Sequence, residues 1–198
     1  MLVIGLTGSA AMGKSTVAAM FAEAGVAVFD ADRTVHSLYR SEAAPPIEAA
    51  FPGTVVDGVV DRARLAARIA ADKAALVKLE AIVHPLVRAR EAAFRASANA
   101  AGRRTILLDV PLLFETGGEG RVDVVVVVSA PEAVQRRRLL ARPGMNEAAL
   151  ATLLARQMPD AEKRRRAHFV IDKGGPLDET RAAVADVMHA TAGKAGGG

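Results

Sequence analysis

The sequence predicts an α/β fold, a three-layer αβα arrangement around a parallel five-stranded sheet. Two observations carry that expectation. Apolar runs short enough for buried strands alternate with helix-like segments along 198 residues, the pattern of a sheet covered by helices on both faces. The first of these runs, Leu2-Val3-Ile4-Gly5-Leu6, leads into Gly8-Ser9-Ala10-Ala11-Met12-Gly13-Lys14-Ser15, with Thr16 next. That stretch fits G-x-x-x-x-G-K-[ST], and it sits between a strand and a helix as the phosphate-cradling loop requires.

Taken in order, residues 2–6 form a strand and 14–24 a helix that stops at Gly25. A second strand at 26–29 delivers Asp30-Ala31-Asp32 to the carboxyl end of the sheet, where open α/β folds build their sites. A helix follows near 33–39. Between Ser41 and Gly58 the turn pairs Pro45-Pro46, Pro52-Gly53 and Asp57-Gly58 surround a short helix at 47–51. Residues 61–98 read as alanine-rich helix, with His84-Pro85 starting or kinking a helix because proline lacks a backbone donor. Such a long excursion between strands reads as an inserted substrate lobe.

Strand returns at 105–109 and again at 122–128, where the valine run is apolar throughout, as a strand buried on both faces should be. Helices at 132–141 and 146–158 are joined by Arg142-Pro143-Gly144, the place for a mobile lid. A last strand at 168–172, a helix at 177–190 and a loose tail from Gly193 through Gly196 complete the chain. No internal repeat is visible.

The loop has its own physics. A residue without Cβ at Gly8 or Gly13 lets the backbone approach a polyphosphate, and the new helix adds its positive end. Lys14 supplies a point charge for the β and γ phosphates, and the Ser15 hydroxyl joins the shell of a Mg²⁺ held mainly by phosphate and water. Asp109, ending an apolar strand, either reaches that metal, directly or through water, or is a strand-ending turn residue. Arg138 and Arg142 stand four apart on one helical face, so both can meet phosphate oxygens.

Composition narrows the partners. With 51% hydrophobic residues the chain suits a globular fold, and no segment resembles a membrane span or a secretory leader. The absence of cysteine excludes disulfides, thiolate nucleophiles and Cys-ligated zinc, and a cytoplasmic location is expected. Net charge is +4, but Arg136 to Arg166 holds nine Lys or Arg against three Asp or Glu, so the remainder is slightly acidic. A basic block can serve nucleic acid. Aromatics at only 4%, with no tryptophan, leave few stacking platforms and argue against that partner, and clustered arginines equally suit a triphosphate.

Several motifs together resemble the dephospho-CoA kinase family: the P-loop at 8–15, Asp30-Ala31-Asp32, His84-Pro85-Leu86, Pro111-Leu112-Leu113-Phe114-Glu115, the Gln135/Arg138/Arg142 series, Gln157 and Val170-Ile171-Asp172. They span nearly the whole chain. The resemblance implies a P-loop NTPase fold of the nucleoside/nucleotide-kinase type in one domain, 1–198. It implies a nucleotide core (about 1–40, 102–134 and 166–192), a helical CoA-binding lobe (about 41–101) and a lid (about 135–165). The implied reaction is ATP-dependent phosphorylation of the ribose 3′-hydroxyl of dephospho-CoA, the last step of coenzyme A synthesis, with ATP as co-substrate and Mg²⁺.

On that reading Lys14, Asp32 and Arg142 are catalytic, and Gly8, Ala11, Met12, Gly13, Lys14, Ser15, Thr16, Arg138 and Arg142 hold the nucleotide. Ser15 and Asp109 serve the metal. Asp32, His84 and Glu115 face the acceptor. Each has a plainer alternative. Asp30 or Asp32 can cap the following helix, His84 can be a satisfied core histidine, and Glu115 a helix-start charge. Arg136, Arg137 and the run Lys163 to Arg166 read as solvated faces or partner surfaces. No protein partner is read from the chain.

Two departures from the family pattern stand out. Where the family commonly writes G-G-x-G-S-G-K-S, this chain has Ser9, Ala11 and Met12; because alanine resists positive φ, the loop is expected to run at negative φ at Ala11. Near the end, Ala167-His168 and Lys173 replace A-D and an asparagine. Two rival functions are another P-loop nucleoside or nucleotide kinase and a nucleotide-dependent switch or nucleic-acid binder, though no N-K-x-D element of a guanine switch is present.

Overall fold

The computed structural model describes residues 1–70 and 72–194, with the backbone alone at Lys73. Along the chain the elements are β1 (Leu2–Thr7), α1 (Lys14–Glu23), β2 (Ala27–Asp30), α2 (Ala31–Leu38), α3 (Ala44–Ala50), β3 (Val55–Val56), β4 (Val59–Val60), α4 (Arg62–Ile69), α5 (Lys73–Ala100), β5 (Thr105–Asp109), β6 (Val124–Ser129), α6 (Glu132–Leu140), α7 (Glu147–Ala155), α8 (Asp160–Arg166), β7 (Phe169–Asp172) and α9 (Leu177–Ala192). They divide into two compact units, one of Met1–Phe29 with the chain from Ala98 onward, the other Asp30–Ser97.

The first unit is built on a sheet of strand order β2-β5-β1-β6-β7. The central strand β1 runs parallel to β5 on one side, with Leu6 opposite Asp109, and to β6 on the other, with Leu6 opposite Val126; β6 in turn runs parallel to β7. Because the chain winds from β1 toward β2 on one side and later adds β6 and β7 on the other, the loop after β1 lies where the winding reverses. That is where open α/β sheets form their binding crevice.

The valine run shows how period-two alternation meets burial on both faces. Val124, Val126 and Val128 pack with Val17, Phe21, Val184 and Val187 of α1 and α9, whereas Val125 and Val127 pack with Leu113 and Phe114 of the turn after β5. At the start of β7, His168 adds a side-chain rung: its Nδ1 accepts from the Val125 amide at 3.0 Å while its own amide donates to the Val125 carbonyl at 2.9 Å. The ring therefore stands in for the missing backbone acceptor at the sheet edge.

The second unit has its own core of Leu38, Ile47, Phe51, Val60, Leu65, Leu79 and Val83. Two expectations change here. Helix α3 begins at Ala44, ahead of Pro45 and Pro46, because prolines in the first turn forfeit donors that have no intrahelical partner. The expected Asp57-Gly58 turn is the corner of an antiparallel hairpin, Val55–Val56 with Val59–Val60, that was not expected; its φ values of 50° and 77° are the two left-handed residues of a type I′ turn. Strands of two residues carry no readable periodicity. Pro85, expected to start or kink a helix, lies inside α5.

In the first unit, residues 160–166 form α8, a helix not expected from the sequence pattern although Pro159-Asp160 is a helix-start pair. The expected tail lies, beyond Lys194, outside the described residues. Among the described residues no helix is long and apolar enough to cross a membrane.

The exit from β1 is sterically fixed. A Cβ placed on Gly8 would stand 2.5 Å from the backbone oxygen of Val128, which β6 cannot move without loosening its pairing with β1. Gly8→Ala is therefore expected to destabilise the chain by about 1–3 kcal/mol, the range for overpacking. Thermal unfolding of the purified variant checks this; an unchanged midpoint would show that β6 yields freely.

Candidate nucleotide-binding and phosphotransfer site

The loop from Gly8 to Gly13 ends β1 and opens α1. Gly13 has φ 92° and caps α1 without any side-chain hydrogen bond, so no side chain competes for the N-terminal end of α1, where a helix offers an anion its positive end. Ser15 and Thr16 lie in the first turn, and both are exposed. Met12 does the opposite and buries its side chain in the core, where its Sδ accepts from the Ala130 amide at 3.1 Å. Met12 thus anchors the loop to the end of β6 rather than touching solvent.

Lys14 forms an ion pair with Asp109, which is buried at the end of β5. Two adjacent parallel strands bring them together: β1 carries the loop that positions the lysine, and β5 ends on the aspartate in register. A preorganised ammonium held by a carboxylate is ready to exchange that partner for phosphate oxygens, which leaves the carboxylate facing the same crevice.

Ala11 overturns the expectation of negative φ, for its φ is 61°. A non-glycine residue in the left-handed region costs about 1–2 kcal/mol. The flanking peptides are gripped to match: the Ala10 amide donates to Gln157 Oε1 at 3.0 Å, Gln135 Nε2 donates to the Ala10 carbonyl at 2.9 Å, and Arg138 Nη1 donates to the Ala11 carbonyl at 3.2 Å. Three such bonds at roughly 0.5–1.5 kcal/mol each outweigh the strain.

Arg138 is therefore bound at both ends of its guanidinium, with Nη2 donating to the Lys173 carbonyl at 3.2 Å. The stem of Lys173 lies against the loop, since a Cβ on Gly13 would meet Lys173 Cγ at 2.6 Å. Arg142 lies past the end of α6, and is exposed. It shares no continuous helical face with Arg138, because the helix has already ended at Leu140.

Glu115 lies half-buried in the turn after β5. Its Oε1 accepts from the Met158 amide at 2.8 Å and pairs with Lys163 Nζ at 2.9 Å, and the Lys163 side chain is fully buried. The solvated-face reading of Lys163 is thus wrong. A residue in a run of four basic side chains gives no sign in sequence that it points inward. Burial works to raise the Glu115 carboxyl, but hydrogen bonds from Lys163 and the Met158 and Glu115 amides, with the charge of Lys163, hold it below the usual range.

Much of the basic window is engaged in this way. Arg136 pairs with Glu147, Arg165 with Glu162 and Arg166 with Glu119, and Arg166 also covers the Phe114 ring with its guanidinium carbon 4.6 Å from the centroid. Charges neutralised inside the unit offer little to a polyanion. In the sequence Gln135 and Gln157 stand out only as parts of a family motif; their grip on Ala10 becomes visible when α6 and the segment after α7 are placed around the loop.

In the second unit, Asp30 caps α2 by accepting from the Arg33 amide at 2.8 Å. Asp32 is exposed in the first turn of the same helix, with the capping role already taken. His84 is exposed on α5, which removes the reading of a core histidine.

A glycine-rich loop at the reversal point of a parallel sheet, with its lysine preset at the end of the neighbouring strand, defines a P-loop phosphotransferase. The family model of dephospho-CoA kinase matches residues 2–179. Among curated relatives, a dephospho-CoA kinase of Mesorhizobium japonicum is 61% identical over 196 residues, covering 99% of this chain and all of its own length. A crystal structure from Thermus thermophilus is 35% identical, with a TM-score of 0.79 over 96% of this chain and 97% of that one. The fold is shared with a dephospho-CoA kinase of Campylobacter jejuni, 22% identical with a TM-score of 0.65 over 95% of this chain and 96% of that one. The chain belongs to the dephospho-CoA kinase family.

The left-handed alanine and the buried ion pair each give a measurable expectation. Ala11→Gly removes the left-handed strain and is expected to stabilise the protein by about 1 kcal/mol, raising the unfolding midpoint by a few degrees. An unchanged or lowered midpoint would mean that the strain is absent. Glu115→Gln leaves the buried Lys163 ammonium without its anion and is expected to cost about 3 kcal/mol at neutral pH. Because the folded-state carboxyl is held low, the contribution of Glu115 is present above the ordinary carboxylate range and lost as pH falls through the lowered value. The gap between wild type and variant in denaturant titrations should therefore close in acid; a gap independent of pH would refute the ion pair's role.

Proposed function

We infer that this chain transfers the γ-phosphoryl group of ATP to the ribose 3′-hydroxyl of dephospho-CoA, giving coenzyme A and ADP as the last step of coenzyme A biosynthesis. The observation that carries this is the family match across residues 2–179 together with an intact phosphate loop at Gly8–Ser15. In this reaction the 3′-oxygen forms a bond to the γ-phosphorus while the bond to the β–γ bridging oxygen breaks. The protein's part is to position the two ends and stabilise the migrating charge.

Several observations support the residue roles proposed here. The uncapped first turn of α1, with Gly8, Ala11, Met12 and Gly13 shaping its approach, binds the β and γ phosphates. Lys14 moves from Asp109 to those oxygens. Arg142, exposed at the α6–α7 joint, covers the transferring group when the lid formed by about 135–165 closes, and Arg138 braces the loop carbonyl beneath it. In the helical lobe, Asp32 orients the acceptor hydroxyl and His84 helps hold the acceptor. Glu115 would face the acceptor from the first unit, with its Oε1 already taken by Lys163 and the Met158 amide. A free aspartate is a weak base for an alcohol, so aiming the oxygen is its main contribution.

The residues at the loop fit a magnesium ion. Mg²⁺ keeps several waters and takes only one or two protein oxygens; the Ser15 hydroxyl would supply one, and the Asp109 carboxylate would reach the ion directly or through water. No group of three or more acidic, histidine or cysteine side chains that could hold a metal occurs among the described residues. When bound, the ion neutralises charge on the β and γ phosphates. A cytoplasmic location is part of this proposal.

The test is formation of coenzyme A from MgATP and dephospho-CoA, with the product checked for one added phosphate and adenosine and nucleoside monophosphates run beside it. Response only to another acceptor would keep the kinase and reject the acceptor. Asp32→Asn is expected to keep MgATP affinity while lowering phosphotransfer at least about tenfold, equivalent to about 1.4 kcal/mol of barrier. Equal activity would remove Asp32 from the mechanism.

A further inference from the structure

Ala10 is held through both of its backbone groups by two glutamines that lie far apart in sequence. Gln157 accepts from its amide at 3.0 Å and Gln135, itself buried, donates to its carbonyl at 2.9 Å. The next carbonyl, that of Ala11, receives Arg138 at 3.2 Å, and it belongs to the residue forced to φ 61°. Gln135 lies in α6 and Gln157 just after α7, so the two roots of the α6–α7 hairpin meet on one residue of the phosphate loop. Gln157 is itself steadied, because the amide of its neighbour Met158 is fixed on Glu115, which Lys163 holds.

We propose that Gln135 and Gln157 are positioning residues for phosphotransfer: they hold Ala10 from both sides so that Ala11 stays left-handed and the loop is preformed for phosphate. The inference rests on the nucleotide-binding reading of the loop. A loop with glycine at position 11 adopts this conformation without help, whereas alanine makes it depend on the clamp. The clamp and the residue at position 11 are therefore energetically coupled, although neither glutamine touches the transferred group. The competing explanation is that buried Met12 and Gly13 alone set the loop, in which case the glutamines only join α6 and the segment after α7 to the sheet.

A double-mutant cycle on the full chain separates these. MgADP binding is measured by calorimetry for wild type, Gln157→Ala, Ala11→Gly and the double variant, and MgATP kinetics are recorded for each. Gln157→Ala is expected to weaken MgADP about fivefold in the wild-type background and clearly less in the Ala11→Gly background, a coupling typical of residues linked through one backbone segment. The kinetic loss should fall on KM for MgATP rather than on kcat, and amide hydrogen exchange at Ala10 should quicken. Gln135→Leu, which removes the donor to the Ala10 carbonyl, must show the same coupling to position 11. Equal losses in both backgrounds, or no loss in the wild-type background for either glutamine variant, would overturn the proposal. Failure of wild type itself to bind MgADP would strike the nucleotide reading, and the inference with it.

Discussion

The structure of the first unit depends on β1 being wedged between β5 and β6. Parallel pairing on both sides buries β1 completely, and a strand in that position can leave the sheet only through a residue small enough to pass the Val128 carbonyl. Gly8 is that residue. Everything at the crevice follows from the same pairing: Lys14 lies beyond the end of β1, Asp109 at the end of β5, and Ala130 beyond the end of β6, where its amide takes the Met12 sulfur. A slip of one residue in a strand buried on both faces would misplace all three.

Charge is handled in two ways around this frame. The Lys14–Asp109 pair joins the start of α1 to the end of β5. The Lys163–Glu115 pair lies inside the unit and ties α8 to the turn after β5, with the Met158 amide as a third member. An ammonium this deeply buried is tolerable only with its anion beside it. It therefore acts as a fixed strut, and the segment carrying Gln157 is placed by it. Lys173 adds a third device, its stem lying along Gly13 where the family often has a shorter amide.

Most of the fold of the first unit was legible in sequence because its strands are apolar runs of four to six residues and its helices are bounded by Gly25, Pro131 and Pro176. The site was legible in part. Gly8, Gly13, Lys14 and Ser15 are recognisable because only those residue types at that spacing can wrap a polyphosphate. Ala11 was misread for a physical reason. Its intrinsic preference against positive φ is real, but Gln135, Gln157 and Arg138 approach from elsewhere and override it. The β3–β4 hairpin escaped because two residues cannot display a period, and Lys163 escaped because a buried and a solvated lysine look alike in a basic run.

The sequence by itself determined that this is an α/β protein with a phosphate loop after its first strand, and it pointed to a kinase of the coenzyme A pathway. These are properties of local patterns, in which burial, turn chemistry and loop spacing are set by neighbours along the chain. Only the tertiary structure decided which polar groups meet: that Lys14 rests on Asp109, that Glu115 and Lys163 neutralise each other, and that two glutamines close on Ala10. The partners in those contacts lie as far as 147 positions apart, the separation of Ala10 from Gln157. They are selected by strand order and helix placement, which no stretch of neighbouring residues encodes alone.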